Sequence, residues 1–243
     1  MENAILVAMS HQIANRRSLD VVANNIANMN TTGFKAENVL FEQILQEVGS
    51  GTEIGNEISF VQDRAVYRNL TDGGLVETSG PLDMALSGEG FFVIDTPKGE
   101  RYTRNGNFKL DEEGQIVTSE GHPLLDINGE PIVIGPDEAN IEVAKDGSMA
   151  TSLGPKTTLN IVTFDNINEM RKVGSSLYDT EQEPFPADAA SVHQGMIETS
   201  NVQPILEVTR MIEFSRAYQS AASIISDAED LQRKAVDELS GTN

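Results

Sequence analysis

The groups able to do chemistry in this chain are few and scattered. Three histidines, His11, His122 and His193, lie far apart, and none falls at a metal-ligand spacing such as H-x-x-x-H. Asp111-Glu112-Glu113-Gly114 masses three carboxylates. Set between two strand-like runs, it reads as a hairpin turn. Gly88-Glu89-Gly90 lacks the third glycine and the following helix of a dinucleotide loop, and reads as a tight turn into Phe91–Ile94. There is no G-x-S-x-G elbow and no phosphate loop. The chain has no cysteine, which removes disulfides, thiolate chemistry and Cys-ligated metals. Asp83 and Asp111 are carboxylates that a sugar-cleaving β-protein would use as a pair. Such a cleft stacks sugars on aromatics, yet the chain has no Trp and only four Tyr. Asn30-Thr31-Thr32 and Asn69-Leu70-Thr71 match glycosylation acceptors, a pattern short enough to arise by chance. Nothing here supports catalysis, and no cofactor or metal is expected.

Bulk properties narrow the partners. A length of 243 residues suits one large domain or two smaller ones, and 39% hydrophobic content is enough for a core. The formal net charge of −21 argues against nucleic acid and against anionic lipid. Between Asp111 and Asp146 the only base is Lys145, which reads as a solvated acidic β-surface. No run approaches the ~20 apolar residues of a membrane span, so no membrane insertion is expected. The apolar stretch Ala4–Met9 is too short for a secretory core and has no basic residue before it, so no cleavable signal is expected.

The elements divide by period. Residues 3–28 lack Gly and Pro and carry Leu6, Met9, Ile13, Leu19, Ala23 and Ile26 at helical spacing. Arg16, Arg17 and Asp20 interrupt the stripe, and the helix is expected to end within Asn28–Gly33. Residues 34–66 read as an extended or mixed linker. Phe34, Val39, Leu40, Phe41, Ile44, Leu45 and Val48 offer a turn or two of helix before Gly49, Gly51 and Gly55 break it. From 67 to 190 the period is two. Phe91–Ile94, Tyr102–Arg104, Phe108–Leu110, Gln115–Thr118, Pro131–Ile134, Ile141–Val143 and Leu159–Phe164 read as strands. Asn105-Gly106, Glu113-Gly114, Asn128-Gly129 and Asp146-Gly147 read as the turns between them, giving an antiparallel β-domain.

A second helix is expected from about Ser200. Ser200 and Gln203 have capping-box spacing, or Pro204 marks the first helical position. Met211, Phe214, Tyr218, Ala221, Ile225, Ala228, Ala235 and Leu239 keep a three-four rhythm, with only Gln232 polar on the seam. At ~1.5 Å per residue the helix is on the order of 55 Å long. The expected fold is α+β: an antiparallel all-β centre, with terminal segments 1–33 and 200–243 pairing as a coiled-coil-like helical domain. One seam is too little apolar surface to order so much helix. Neighbouring subunits are therefore expected to supply the rest, the ends folding on assembly. A soluble coiled-coil adaptor is the competing non-enzymatic reading.

Several strings sharpen this expectation. Val21-Val22-Ala23-Asn24-Asn25-Ile26-Ala27-Asn28-Met29-Asn30-Thr31-Thr32-Gly33-Phe34-Lys35 resembles the N-terminal signature of bacterial flagellar basal-body rod and hook proteins. Pro81–Phe92, Tyr102–Phe108 and Gly121–Leu125 resemble that family's β-domain landmarks. Gly195–Val202, followed by Met211-Ile212-Glu213, resembles its C-terminal signature. Within the family, the length and the short stretch between Gly33 and Ala65 favour the proximal rod type, with the distal type as the alternative. The resemblance implies a subunit of the drive shaft, with terminal helices forming an inner tube and the β-domain an outer layer. It implies proximal and distal rod proteins as partners, and export through the flagellar type III apparatus. Asn24, Asn25, Asn28 and Asn30 then either cap the helix and bond neighbouring backbones or form a local turn. Gly33 and Phe34 join the helix stripes among the residues expected to pack subunits.

Overall fold

The computed structural model describes residues 2–47, 57–174 and 176–240, with side chains at 2–4, 43–47, 57–64 and 238–240 outside that description. The chain forms two helices at its ends and a mainly antiparallel β-rich middle, an α+β fold. It divides into two compact units.

The first unit comprises Met1–Ala27, Glu37–Arg68 and Gln203–Asn243. Helix α1 spans Glu2–Ala27 and α2 spans Pro204–Ser240. Helix α1 stops where Asn28, Asn30 and Thr31 replace good helix formers. Helix α2 starts at Pro204, whose missing N–H is one the first turn leaves unpaired in any case, so the proline reading of this start holds. Ser200 instead closes a local turn, its hydroxyl accepting from the Val202 N–H at 3.3 Å.

Between the helices in sequence, but in the same unit, lies a long antiparallel hairpin of β1 (Glu37–Glu47) and β2 (Glu57–Arg68). Its register runs from Glu37↔Arg68 to Glu47↔Glu57, with a bulge at Leu40/Phe41. The helical turn considered for residues 39–45 is therefore strand: its alternation is satisfied by pairing with a partner that periodicity in one segment cannot reveal. Val48, Gly49, Gly51 and Gly55 lie outside the described residues. Helices α1 and α2 pack on each other, and α1 packs on the hairpin.

The second unit comprises Asn28–Ala36 and Asn69–Val202. Its strands are β3 (Leu75–Glu77), β4 (Met84–Ser87), β5 (Phe91–Thr96), β6 (Gly99–Thr103), β7 (Phe108–Leu110) and β8 (Ile116–Thr118). They continue as β9 (Glu142–Val143), β10 (Ser148–Thr151), β11 (Gly154–Thr158) and β12 (Ile161–Thr163). After a 3-10 turn at Ile167–Glu169 come β13 (Arg171–Lys172), β14 (Leu177–Asp179), β15 (Phe185–Pro186), β16 (Ser191–Gln194) and β17 (Met196–Glu198). The largest sheet has the order β13-β14-β6-β5-β12-β15, and the unit's other described strands form sheets of two or three strands.

Strand β5 shows why the unit closes on itself. Its residues alternate between two cores: Phe92 and Ile94 join Met84, Leu86, Phe108, Ile116 and Leu124, while Phe91 and Val93 join Tyr102, Phe164, Met170 and Tyr178. Both faces of the strand are buried, which is why it reads as a continuous apolar run. Edge-to-face rings fill the two sides, Phe92 on Phe108 at 5.3 Å and Tyr102 on Phe164 at 4.7 Å.

Three of the four expected glycine turns hold a positive φ: Gly114, Gly129 and Gly147. Asn105-Gly106 does something else. A Cβ on Gly106 would sit 1.5 Å from the Met84 carbonyl oxygen, so this glycine permits a close backbone crossing rather than a hairpin. Pro131–Ile134 makes only isolated bridges, at Gln115↔Val133 and Leu125↔Pro131.

Candidate functional site

Residues with the capacity for catalysis are spent on structure. The Asp111 carboxylate accepts from the N–H groups of Glu113 and Gln115, at 2.9 and 2.7 Å, and so makes the expected turn. Asp83 accepts from the Thr78 hydroxyl and the Asn107 amide, both at 2.7 Å. Among the described residues, no three potential metal ligands lie together, and no helix is long and apolar enough to cross a membrane.

The densest polar arrangement lies in the second unit, around Glu198, whose side chain is 1% exposed. Its Oε1 accepts from Lys35 Nζ at 2.6 Å and from the Gly73 N–H at 2.9 Å. Its Oε2 accepts from Arg104 Nε at 3.1 Å. The guanidinium of Arg104 engages all five of its donors. Beyond Glu198, Nη1 reaches the carbonyls of Gly88 and Gly90, at 2.6 and 2.8 Å. Nη2 reaches Asp72 at 3.0 Å and the Leu86 carbonyl at 3.3 Å. Lys35 also donates to the Thr71 carbonyl at 2.9 Å. Burial pushes the Lys35 ammonium below the usual lysine range and the Arg104 charge adds to that, while Glu198 opposes both.

This network explains Gly33. Its φ is +67°, and a Cβ there would lie 2.5 Å from the Arg104 carbonyl. The Gly33 N–H donates to the Glu198 carbonyl at 2.8 Å. Phe34, 1% exposed, is buried with Ala36 and Val202, and Lys172 Nζ lies 4.2 Å from its ring centroid. Asn201 holds the same segment, its Oδ1 accepting from the Ala36 N–H at 2.8 Å and its Nδ2 donating to the Asn69 carbonyl at 2.8 Å.

In the first unit, Asn25 plays the comparable part. Fully buried, it accepts from the Glu37 N–H at 2.9 Å and donates to the Glu37 carbonyl at 2.8 Å, pairing with β1 as a strand neighbour would. Its Nδ2 also meets Glu207 Oε2 at 3.0 Å. Glu207 accepts in turn from Arg210 Nη1 at 2.7 Å, and Arg210 reaches Asn38 Oδ1 at 3.3 Å. Asn25 on the last turn of α1 thus meets Glu207 on the first turn of α2, which sets the packed helices antiparallel. Asn28 does the local work, its Oδ1 accepting from the Thr31 hydroxyl at 3.2 Å. Asn24 and Asn30 are exposed.

The apolar stripes are placed differently in the two helices. On α2, Ala221 is buried and Met211, Phe214, Tyr218, Ile225 and Ala228 are half-buried, so the expected seam is the covered side as far as Ala228, while Ala235 is exposed. The side chain of Leu239 is outside the description. On α1 the covered side is instead Ala8, Ala14, Ser18, Val21, Val22 and Asn25. Leu6, Met9 and Ile13 are exposed, Ile13 by 66%, as is Ala23, while Leu19 and Ile26 are half-buried. A second exposed row, Ile205, Val208 and Ile212, has the same i, i+3, i+7 spacing on α2, with Ile205 86% exposed.

Sequence reading missed Glu207, Arg210, Asp72 and the convergence of Lys35, Arg104 and Glu198. The last three stand inside strings already singled out as signatures, as charges among small and apolar neighbours. That was the available signal; their mutual contact was not, because it joins positions 163 and 94 residues apart.

Comparison with known proteins follows the same segments. The family model "Flagella basal body rod protein" matches residues 5–35. That for the "Flagellar hook protein FlgE/F/G D1 domain" matches 85–151. That for the "Flagellar basal body rod FlgEFG protein C-terminal" matches 193–238. These three stretches contribute Lys35, Arg104 and Glu198 respectively. The chain is 40% identical to the flagellar basal-body rod protein FlgF of Caulobacter vibrioides, over the full length of both. It is 34% identical to FlgF of Mesorhizobium japonicum over 98% of each chain. It is 32% identical to the flagellar basal-body rod protein FlgG of Bacillus subtilis over 90% of this chain and 92% of that one. With two packed terminal helices, a β-rich middle, and matches reaching from one end to the other, this chain belongs to the flagellar basal-body rod protein family and is a structural subunit.

Proposed function

We propose that the chain is a subunit of the proximal part of the flagellar rod and carries torque along a shaft that crosses the periplasm. The observation that carries this reading is the pair of outward apolar rows, Leu6/Met9/Ile13 and Ile205/Val208/Ile212, each on the side of its helix away from the covered one. A water-exposed stripe of this kind is a contact surface in waiting. Neighbouring rod subunits, proximal and distal, bury these rows, and α1 and α2 pair in coiled-coil fashion within an inner helical layer. Repeated heterologous contacts extend such a layer as an open helical array. Residues 67–190 form the outer layer, which the ion network around Glu198 stiffens against twisting. Gly33, Phe34 and Asn25 serve assembly indirectly, by fixing the two ends of the segment that follows α1. The subunit reaches its place through the flagellar type III apparatus.

The distal rod position is the second reading, since FlgG relatives also match over most of the chain; the higher identity to FlgF proteins favours the proximal one. The test is a strain in which residues 205–240 are deleted, examined by electron microscopy of basal bodies with the subunit labelled. Loss of motility with rods that stop short is expected. Normal motility and complete rods would overturn the proposal.

A further inference from the structure

Strand β3 is an open edge. It belongs to a two-stranded ribbon with β17, in the register Leu75↔Glu198, Val76↔Ile197 and Glu77↔Met196. The flanking bonds place the ladder: Thr199 N–H donates to the Gly74 carbonyl and Thr78 N–H to the Gly195 carbonyl, both at 2.8 Å. In an antiparallel pair the bonded positions alternate, so Gly74, Val76 and Thr78 face β17. Leu75 and Glu77 therefore turn their N–H and C=O groups away from it. Among the described residues, neither backbone has another hydrogen-bond partner. The side chains offer no protection either: Leu75 is 40% and Val76 48% exposed, and Glu77 is exposed. Soluble proteins blunt such edges with lysine, proline or a covering loop. This one presents four free backbone groups beside two apolar side chains.

We infer that β3 is a docking edge, which an extended segment of another protein, alternating basic and apolar residues, joins as a third strand. Charge selects that occupant. Glu77 projects exposed from the edge itself, whereas the carboxylate of Asp72 just before it is already engaged by Arg104 at 3.0 Å. The neighbouring bases Lys35 and Arg104 are turned inward, at 4% and 3%. A lysine or arginine facing Glu77 gains a cross-strand ion pair, the apolar residue next to it covers Val76, and the aliphatic stem of the following base lies over Leu75. A second copy of the chain, at a formal charge of −21, meets like charge here.

The test uses the full chain in solution, independently of any rod. Amide exchange at Leu75, Val76 and Glu77 is followed by NMR with a Lys-Val-Lys-Val-Lys peptide and with its Glu-Val-Glu-Val-Glu counterpart, each at about 1 mM. The basic peptide is expected to slow exchange at Leu75 and Glu77 about tenfold and to leave Val76, already bonded to β17, unchanged. The variant Leu75→Pro removes one outward N–H and none that β17 uses, so it keeps the melting temperature and loses the peptide effect. The variant Glu77→Lys reverses the preference to the acidic peptide. No protection by either peptide, equal protection by both, or protection that rises with protein concentration alone would each overturn the inference, the last by making a second copy the occupant.

Discussion

The two units treat their unusual residues in opposite ways. The β-unit closes inward: five donors of Arg104 are all engaged, Lys35 and Glu198 meet in its interior, and both faces of β5 are buried. The helical unit closes only half of itself. It buries Asn25 and Glu207 with Arg210 bonded over them, then leaves two apolar rows facing outward. The difference separates stability from assembly. A charge network repays its desolvation only when every member is paired, so it resists change and tolerates no loss. An exposed apolar row costs the isolated chain little to alter and acts only when a neighbour arrives.

The sharpest way to break that contrast is at Glu198. Glu198→Ala removes the buried carboxylate between Lys35 and Arg104 and leaves them the half-exposed Asp72 as their one anion, and a loss of about 3–5 kcal/mol is expected in denaturant unfolding. A loss near zero would mean the network is not what holds the β-unit. Gly33→Ala should cost about 1–3 kcal/mol, through a positive φ and a Cβ driven into the Arg104 backbone. In the helical unit, Asn25→Ala removes the two hydrogen bonds to the Glu37 backbone and should cost about 1–3 kcal/mol. By contrast, Ile13→Asp and Ile212→Asp should change monomer stability by no more than about 0.5 kcal/mol, yet abolish swimming in a motility assay. If either variant swims normally, the row it sits on is not a contact surface.

The smallest effect is the acid limb of the β-unit's stability. Desolvation raises the Asp126 pKa, but hydrogen bonds from the Glu130 N–H, the Thr157 hydroxyl and Asn128 outweigh it, and the net shift is downward from 3.8. The folded carboxyl then binds fewer protons than the unfolded one just below pH 3.8. Its contribution is therefore present above that pH and is lost as pH falls through the folded value. Asp126→Asn should flatten the stability curve in that window alone, as read by circular dichroism across an acid titration.

What a single strand of text could reveal here was whatever is local. Helical ends, strand-like periodicity and three of four glycine turns depend on neighbours a few residues away, and the α+β outline followed from them. The face α1 buries did not. The apolar stripe at Leu6, Met9 and Ile13 marks a face that needs a neighbour, but the face the chain itself covers is Ala14, Ser18, Val21, Val22 and Asn25. Small side chains let another element approach closely, and which element approaches is a long-range fact. Ser18 could be buried because its hydroxyl donates to the Ala14 carbonyl of its own helix at 3.1 Å.

The hairpin β1–β2 and the Glu198 network escaped for the same reason. Strand pairing and ion pairing are contacts between distant positions, and their energies exist only once the chain has brought those positions together. Periodicity identifies a residue's apolar neighbours along one element. Only the folded chain decides whether the side chain meets a partner, the interior or open water.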